Sequence, residues 1–245
     1  MSNFLTDDPL DASPKCVVIG ASGAIGSAVA QLMVAEGFEV IGLSRLRPTD
    51  WSGRYIECDL SDPDSVIAVK SLLSSLGVQA VVNAAGIGMS DSISSLDFDT
   101  MSRGFTTNVF GPATVVAALA VGMSEGGTIV NVCSNVMSGR PDRNTYASSK
   151  AAVAALTRCW ALDLAPRRVR VNAVSPGPVE SPLFRKRRPV DSDAEREALR
   201  RIPLGRLLQP SEVASVVLFL SSAQSGTMTG QILTVDGGET ILGTL

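Results

Sequence analysis

The sequence predicts an α/β fold: one doubly wound parallel sheet of about seven strands with helices on both faces. Three observations carry this. Short apolar, strand-like runs alternate with helix-like segments along the chain. The runs are almost continuously apolar, as strands covered on both faces are. A glycine-rich turn separates the first run from the first helical pattern, which suits a strand feeding directly into a crossover helix.

The elements follow in order. Cys16 to Ile19 is the first strand, and a helical pattern runs from the glycine-rich turn to about Glu36. Phe38 to Leu43 and Tyr55 to Cys58 read as the second and third strands. Ser65 to Leu76 reads as a helix, with Asp62 and Pro63 suited to its start and Gly77 to its end. Ala80 to Val82 is the fourth strand. A long helix is expected from Phe98 to Gly122, with Gly104 and Gly111-Pro112 as places where it could bend. Thr128 to Val132 is the fifth strand, and Thr145 to Leu164 has strong helical periodicity. Val169 to Val174 and Ile232 to Val235 complete the sheet. Residues 180–201 break the rhythm, being charged and proline-containing after the sixth strand, and read as a substrate lid.

Composition bounds the function. The 245 residues fit a single domain over 15–245 behind a flexible, acidic and polar leader over 1–14. The leader lacks the basic start and apolar stretch of a secretion signal, so a cytoplasmic protein is expected. Hydrophobic residues make up 45%, enough for a buried core. Lys and Arg number 21 against 24 Asp and Glu, and a net charge of −3 argues against a nucleic-acid partner. Val115 to Val121 is apolar but short, and no run is expected to reach transmembrane length, so no membrane partner is expected. Four scattered cysteines, Cys16, Cys58, Cys133 and Cys159, form no CxxC pair and read as free thiols. There is no histidine, which removes a Ser-His-Asp triad and any His-bearing zinc site; no metal is expected. Proton chemistry falls to Asp, Glu, Lys, Tyr or Cys, and the only tyrosines are Tyr55 and Tyr146.

Gly20-Ala21-Ser22-Gly23-Ala24-Ile25-Gly26 follows the first strand and opens the first helix. In that context glycine lets the backbone turn tightly and approach a pyrophosphate, while the helix N-terminus supplies N–H donors: a Rossmann-like dinucleotide site. The plainer reading is a flexible turn capped by Ser22. The second strand ends in Ser44-Arg45, where a NAD-binding unit often places a carboxylate for the ribose hydroxyls. A carboxylate repels a 2′-phosphate and a guanidinium binds it, so NADP(H) is favoured and NAD(H) stays open. The plainer reading of Arg45 is a solvated loop charge.

Tyr146 and Lys150 form a YxxxK pair about one helical turn apart, on one face. A tyrosine hydroxyl ordinarily ionises near pH ~10, and a neighbouring ammonium favours the phenolate, making it usable as an acid in reduction and a base in oxidation. With the glycine-rich turn, Asn83-Ala84-Ala85-Gly86, Asn108, Ser134 and Pro176-Gly177, this order of motifs resembles the short-chain dehydrogenase/reductase family. Asn172 to Gly177 and Gly230 to Gly238 resemble that family's later segments, so the likeness covers Lys15 to Gly238.

The resemblance implies roles. Tyr146 would exchange the proton with the substrate oxygen. Lys150 would bind the nicotinamide ribose and favour ionisation of Tyr146. Ser134 would position the carbonyl, and Asn108 would hold a proton-relaying water. Asp59 and Leu60 would meet the adenine. Asn83, Ala84, Ala85 and Gly86 would line the cofactor cleft. Pro176, Gly177 and Val179 would lie along the nicotinamide, with Ser181 reaching its carboxamide or phosphates. Four positions depart from the family pattern. Ile19 stands for the usual Thr, Ala24 for a second Gly, and Ala84 for the second Asn. Ser134 lies one residue nearer Tyr146 than the commonest spacing, where Cys133 would otherwise stand; Ser138 is the weaker alternative.

The expected substrate is a small to medium, partly apolar ketone or alcohol, with apolar contacts from Leu183, Phe184, Met89, Val136 and Met137. The run Arg185-Lys186-Arg187-Arg188 either attracts an anionic group or partner, or is a solvated lid face. Reduction of 3-oxoacyl thioesters is one alternative within the family. A catalytically silent nucleotide-sensing scaffold and an epimerase or dehydratase on the same fold are others. A homo-oligomer, tetramer or dimer, is implied by the resemblance, with the helices around Ala151 to Leu164 and Val213 to Leu220 as candidate interfaces.

Overall fold

The computed structural model describes residues 13–242. The expected leader therefore lies outside the described residues except for Ser13 and Pro14. Among the described residues seven strands form one sheet: β1 (Lys15–Ile19), β2 (Glu39–Ser44), β3 (Tyr55–Glu57), β4 (Ala80–Asn83), β5 (Thr128–Val132), β6 (Arg170–Pro176) and β7 (Ile232–Val235). Their order is β3-β2-β1-β4-β5-β6-β7, and every pairing is parallel. The order reverses between β1 and β4, so a crevice opens at the carboxyl ends of these two strands.

Alternation along the strands feeds two cores. On one face Val17, Ile19, Ile41, Leu43 and Ile129 pack against α2 (Pro63–Ser74) and α4 (Gly111–Val121), through Val66, Leu73, Val115 and Leu119. On the other, Cys16, Val18, Val82 and Val130 meet α1 (Ala24–Ala35) and α8 (Pro210–Ser221), through Val29, Met33, Val213 and Val217. Helix α2 starts where Asp62 accepts the Asp64 amide at 3.0 Å, and the chain leaves it at Gly77, whose φ is +62°.

Two expectations change. Helices α3 (Phe98–Phe105) and α4 join through a π-helical stretch, Thr106–Phe110, into one 24-residue helix. By length and composition it could cross a membrane, contrary to the expectation that no run is long enough. Half of it is buried inside the fold, as in a core helix. The irregularity falls between Gly104 and Gly111 rather than at either. Residues 180–201, expected as a substrate lid, carry α6 (Pro182–Arg187) and α7 (Asp193–Arg200). Each starts on a serine: Ser181 accepts the Phe184 amide and Ser192 the Glu195 amide, both at 3.2 Å. Helix α5 (Asn144–Leu164) crosses from β5 to β6, and α9 (Glu239–Leu242) ends the described chain.

Candidate active site

The glycine-rich turn lies at the crevice. Gly20 has φ +81°, and a Cβ there would stand 2.8 Å from Ala85 Cα, so two backbones meet where a side chain would not fit. A Cβ on Gly26 would be driven into the Gly20 carbonyl oxygen. Helix α1 begins at Gly23 without a side-chain cap. Its first N–H groups are left for another acceptor, which suits an anionic group. Ala24, where the family has a second glycine, is simply the first helical residue, and Ile25 is partly buried against the α1 core. Ser22 is not a cap. It accepts a hydrogen bond from Ser44 at 2.9 Å, tying the turn to the end of β2, and Ser44 also bonds the Tyr55 hydroxyl.

Arg45, the next residue, is exposed and has no carboxylate within ion-pair distance among the described residues. Across from it, Asp59 accepts the Ser61 hydroxyl at 2.6 Å and its amide at 2.9 Å. The hydroxyl bond chiefly holds the Asp59 carboxyl below its ordinary range, with the Arg45 charge adding to it. Leu60 is buried, its carbonyl against Gly111.

The strand ends bring the next groups together. Lys150 is buried, and its ammonium donates to the Val132 carbonyl at 2.8 Å and the Ala85 carbonyl at 3.3 Å. A Cβ on Gly86 would stand 3.0 Å from Lys150 Nζ and 3.3 Å from Asn108 Oδ1. Asn108 sits in the π-helical stretch, buried. Its side chain accepts the Ile87 amide at 2.7 Å and donates to the Ile87 carbonyl at 3.1 Å and to Ser149 at 3.0 Å. Tyr146 is half-buried in the first turn of α5, and its carbonyl accepts Ser149 at 2.8 Å. That turn is fixed from outside: Asp91 accepts the Thr145 amide at 3.1 Å and the Thr145 hydroxyl. Asp91 and Ser149 were not singled out in the sequence, since neither belongs to a motif with a mechanism of its own.

Ser134 lies two residues beyond β5, which stops at Val132. It caps the short 3-10 turn Asn135–Ser138 and is nearly buried, its Oγ 3.5 Å from the Val136 amide. Ser138 is exposed and bonded to the Asn135 carbonyl. Cys133 is buried, which pushes its thiol up to about 11 despite the nearby Lys150. Deeper in the sheet, Asn83 donates to Asn131 at 3.1 Å and Asn131 to Thr157 at 2.9 Å. Asn83 Oδ1 has no hydrogen bond among the described residues, and the side chain of its register partner Ile19 has no donor to offer. Ala84 and Ala85 follow directly toward Gly86.

Pro176 ends β6, and a Cβ on Gly177 would stand 2.8 Å from Asp236 Cα. Val179 bridges Leu208. Ser181 Oγ is occupied as the α6 cap and donates to the Val179 carbonyl at 3.3 Å. The basic run divides. Arg185 is forked between Glu180 and Glu195, while Arg187 donates to the Gly88 carbonyl at 3.0 Å and Arg188 lies over the Phe184 ring at 5.1 Å. Of the expected apolar contacts, Met89 and Val136 are buried, Met137 and Phe184 half-buried and Leu183 exposed.

Residues 20–240 match a protein-family model described as enoyl-(acyl carrier protein) reductase. The chain is 34% identical over 240 residues to 3-oxoacyl-(acyl-carrier-protein) reductase from Thermotoga maritima, covering 91% of this chain and 96% of that one. It is 35% identical over 237 residues to an uncharacterised short-chain type dehydrogenase/reductase from Sinorhizobium fredii, covering 91% of this chain but only 43% of that longer protein. Among solved structures, a short chain dehydrogenase family protein from Francisella tularensis superposes with a TM-score of 0.87 at 28% identity, covering 94% and 100% of the two chains. A blue fluorescent protein from a metagenomic library, in complex with NADPH, superposes with a TM-score of 0.83 at 27% identity, covering 93% and 98%.

Proposed function

Since the chain belongs to the short-chain dehydrogenase/reductase family, oxidoreductases acting on CH–OH and C=O groups with a nicotinamide cofactor, we propose that it interconverts a ketone and a secondary alcohol on a small to medium, partly apolar substrate, with NADP(H) favoured. The observation that carries this reading is the convergence of Lys150, Asn108 and Gly86 beside the first turn of α5, at the crevice where Gly20 leaves no room for a side chain. The residues fit a dinucleotide there: Gly20, Gly23 and Gly26 with the uncapped start of α1 take the phosphates, Asp59 and Leu60 the adenine, and Pro176, Gly177, Val179 and Ser181 the nicotinamide end. When bound, the nicotinamide supplies hydride donation or acceptance.

The protein's share is orientation and proton transfer. Two of the three N–H donors of Lys150 go to carbonyls, and the third serves the ribose. Ser134 donates to the substrate oxygen. Tyr146 gives that oxygen its proton in reduction and takes it back in oxidation. The side chain of Asn108 is already engaged by Ile87 and Ser149, so the relay water is held by a backbone carbonyl of the π-helical stretch. NADP(H) preference rests on Arg45, which is exposed and, among the described residues, has no carboxylate within ion-pair distance. Two related readings belong to this proposal. The name of the Thermotoga maritima relative supports 3-oxoacyl thioesters as one substrate class. Exposed Phe98, Phe110 and Leu162 support a homo-oligomer, and sedimentation as a monomer at micromolar concentration would remove that part.

Tyr146→Phe tests the mechanism. It should lower kcat by at least about 10²-fold while cofactor affinity, followed by fluorescence titration, stays within about twofold. Near-normal turnover would sink the assignment of Tyr146.

A further inference from the structure

Resting on that reading, we propose that the substrate carries an oxyanion, a carboxylate or a phosphate, bound by Arg143, Arg187 and Arg188 at the mouth of the crevice. Arg143 stands three residues before Tyr146 and belongs to none of the family motifs. Its guanidinium donates to the Met89 carbonyl at 2.7 Å, and that of Arg187 donates to the adjoining Gly88 carbonyl at 3.0 Å. Both hang from one loop, the loop that follows β4 and passes Lys150 at Gly86. Helix α6 folds over that loop, with Leu183 and Arg187 facing Gly88.

The charges around these groups are unbalanced. The charges of Arg187, Arg188 and Arg140 act against that of Arg143, with Tyr146 the opposing influence, and those of Arg201, Arg187 and Arg140 act against that of Arg188. The one carboxylate among them, Glu239, is already shared. It accepts Arg140 at 2.6 Å and Asn135 at 2.7 Å, and lies 3.7 Å from Arg201. Asp91, paired in the backbone with Arg143, directs its carboxylate to Thr145. Among the described residues, Arg143, Arg187 and Arg188 have no carboxylate within ion-pair distance. Partial burial of Arg143, then the neighbouring Arg187 and Arg188, make its charge costly and lower its pKa. Arg185 gives the contrast: it belongs to the same run but is forked between two carboxylates and is structural. A guanidinium cluster without an ion-pair partner among the described residues, with Arg143 and Arg188 partly desolvated, Arg143 and Arg187 each anchored to one carbonyl and Arg188 over Phe184, keeps donors for a planar or tetrahedral oxyanion.

The test compares short oxo acids, their methyl esters and hydroxyacetone phosphate as substrates for the full chain. The charged ketones should show kcat/KM at least about tenfold above the esters, and this preference should fall with ionic strength. Arg143→Met and Arg188→Met should collapse the charged-to-neutral ratio toward one, and Arg143→Lys should keep part of it. A larger effect on the phosphate than on the acids identifies phosphate as the group; the reverse identifies carboxylate. Equal turnover of acids and esters, an equal fall for both in the variants, or turnover of carrier-protein thioesters alone would overturn the proposal. If Arg143→Met does not fold, Arg188→Met carries the comparison. If no ketone turns over, calorimetric binding of acid against ester to the cofactor-loaded protein decides: preferential acid binding keeps the oxyanion site while the redox reading fails, and no preference discards the site.

Discussion

Around Gly20 the chain is held by backbone meeting backbone: the turn rests on Ala85 and α1 on the turn, with no charged side chain involved. Residues 180–201, on the other side of the crevice, are held the opposite way. Their two short helices start on serine caps and are joined by Arg185 between Glu180 and Glu195, with Glu195 also accepting the Asp191 amide at 2.6 Å. The first region is specified by side chains it lacks, the second by side chains it carries. Steric exclusion is unforgiving, since a methyl group either fits or forces the backbone to move. Surface ion pairs are weak one by one and exchangeable. The difference suits a constant ligand on one side and a varying one on the other.

Three substitutions sharpen this contrast. Gly26→Ala should be the most damaging, because the added Cβ meets the Gly20 carbonyl. A loss of about 1–3 kcal/mol and a fall in Tm of roughly 5–10 °C are expected, with cofactor binding abolished. A calorimetric scan matching the parent would contradict the steric account. Arg45→Asp reverses a charge beside the glycine side without disturbing its packing. NADPH affinity should drop at least about tenfold, or ~1.4 kcal/mol, with NADH little changed; equal affinities before and after would show that Arg45 does not meet a 2′-phosphate. Arg185→Met should do least to the whole. Hydrogen exchange across 180–201 should quicken while Tm moves by less than about 3 °C, and unchanged exchange there would mean that the fork does not hold α6 to α7.

The sheet was legible because its strands are apolar on both faces and its turns are marked by Gly, Asp and Pro: β5 and β7 fall where the pattern places them, β1, β3 and β4 differ by one residue at one end, and β2 and β6 by one or two residues at both. The glycine-rich turn was legible through position, since only its place between β1 and α1 gives the glycines a job. The π-helical stretch was not, because Thr106–Phe110 differs from an ordinary helix by hydrogen-bond register alone, which leaves no compositional mark. Helices α6 and α7 were missed because charge dominates them, although Ser192 and Glu195 carry a capping-box spacing that could have shown the start of α7. Arg143 could not be found from sequence: its significance comes from Arg187, 44 residues along the chain, reaching the same loop.

The stretch Thr106–Phe110 also sets a phase. Each residue of an α-helix turns the chain by about 100°, so the wider turn here changes which way everything beyond it points. Upstream, Gly104 lies against Thr145 and Met89 at the mouth of the crevice; downstream, Val115 and Leu119 are sealed beneath the sheet. A uniform helix has one fixed relation between two such faces, and the irregular turn resets it, like a coupling between two shafts cut at different angles. Asn108 sits at that joint, and so the same defect that aligns the helix with its core also aims an amide at the loop facing Lys150.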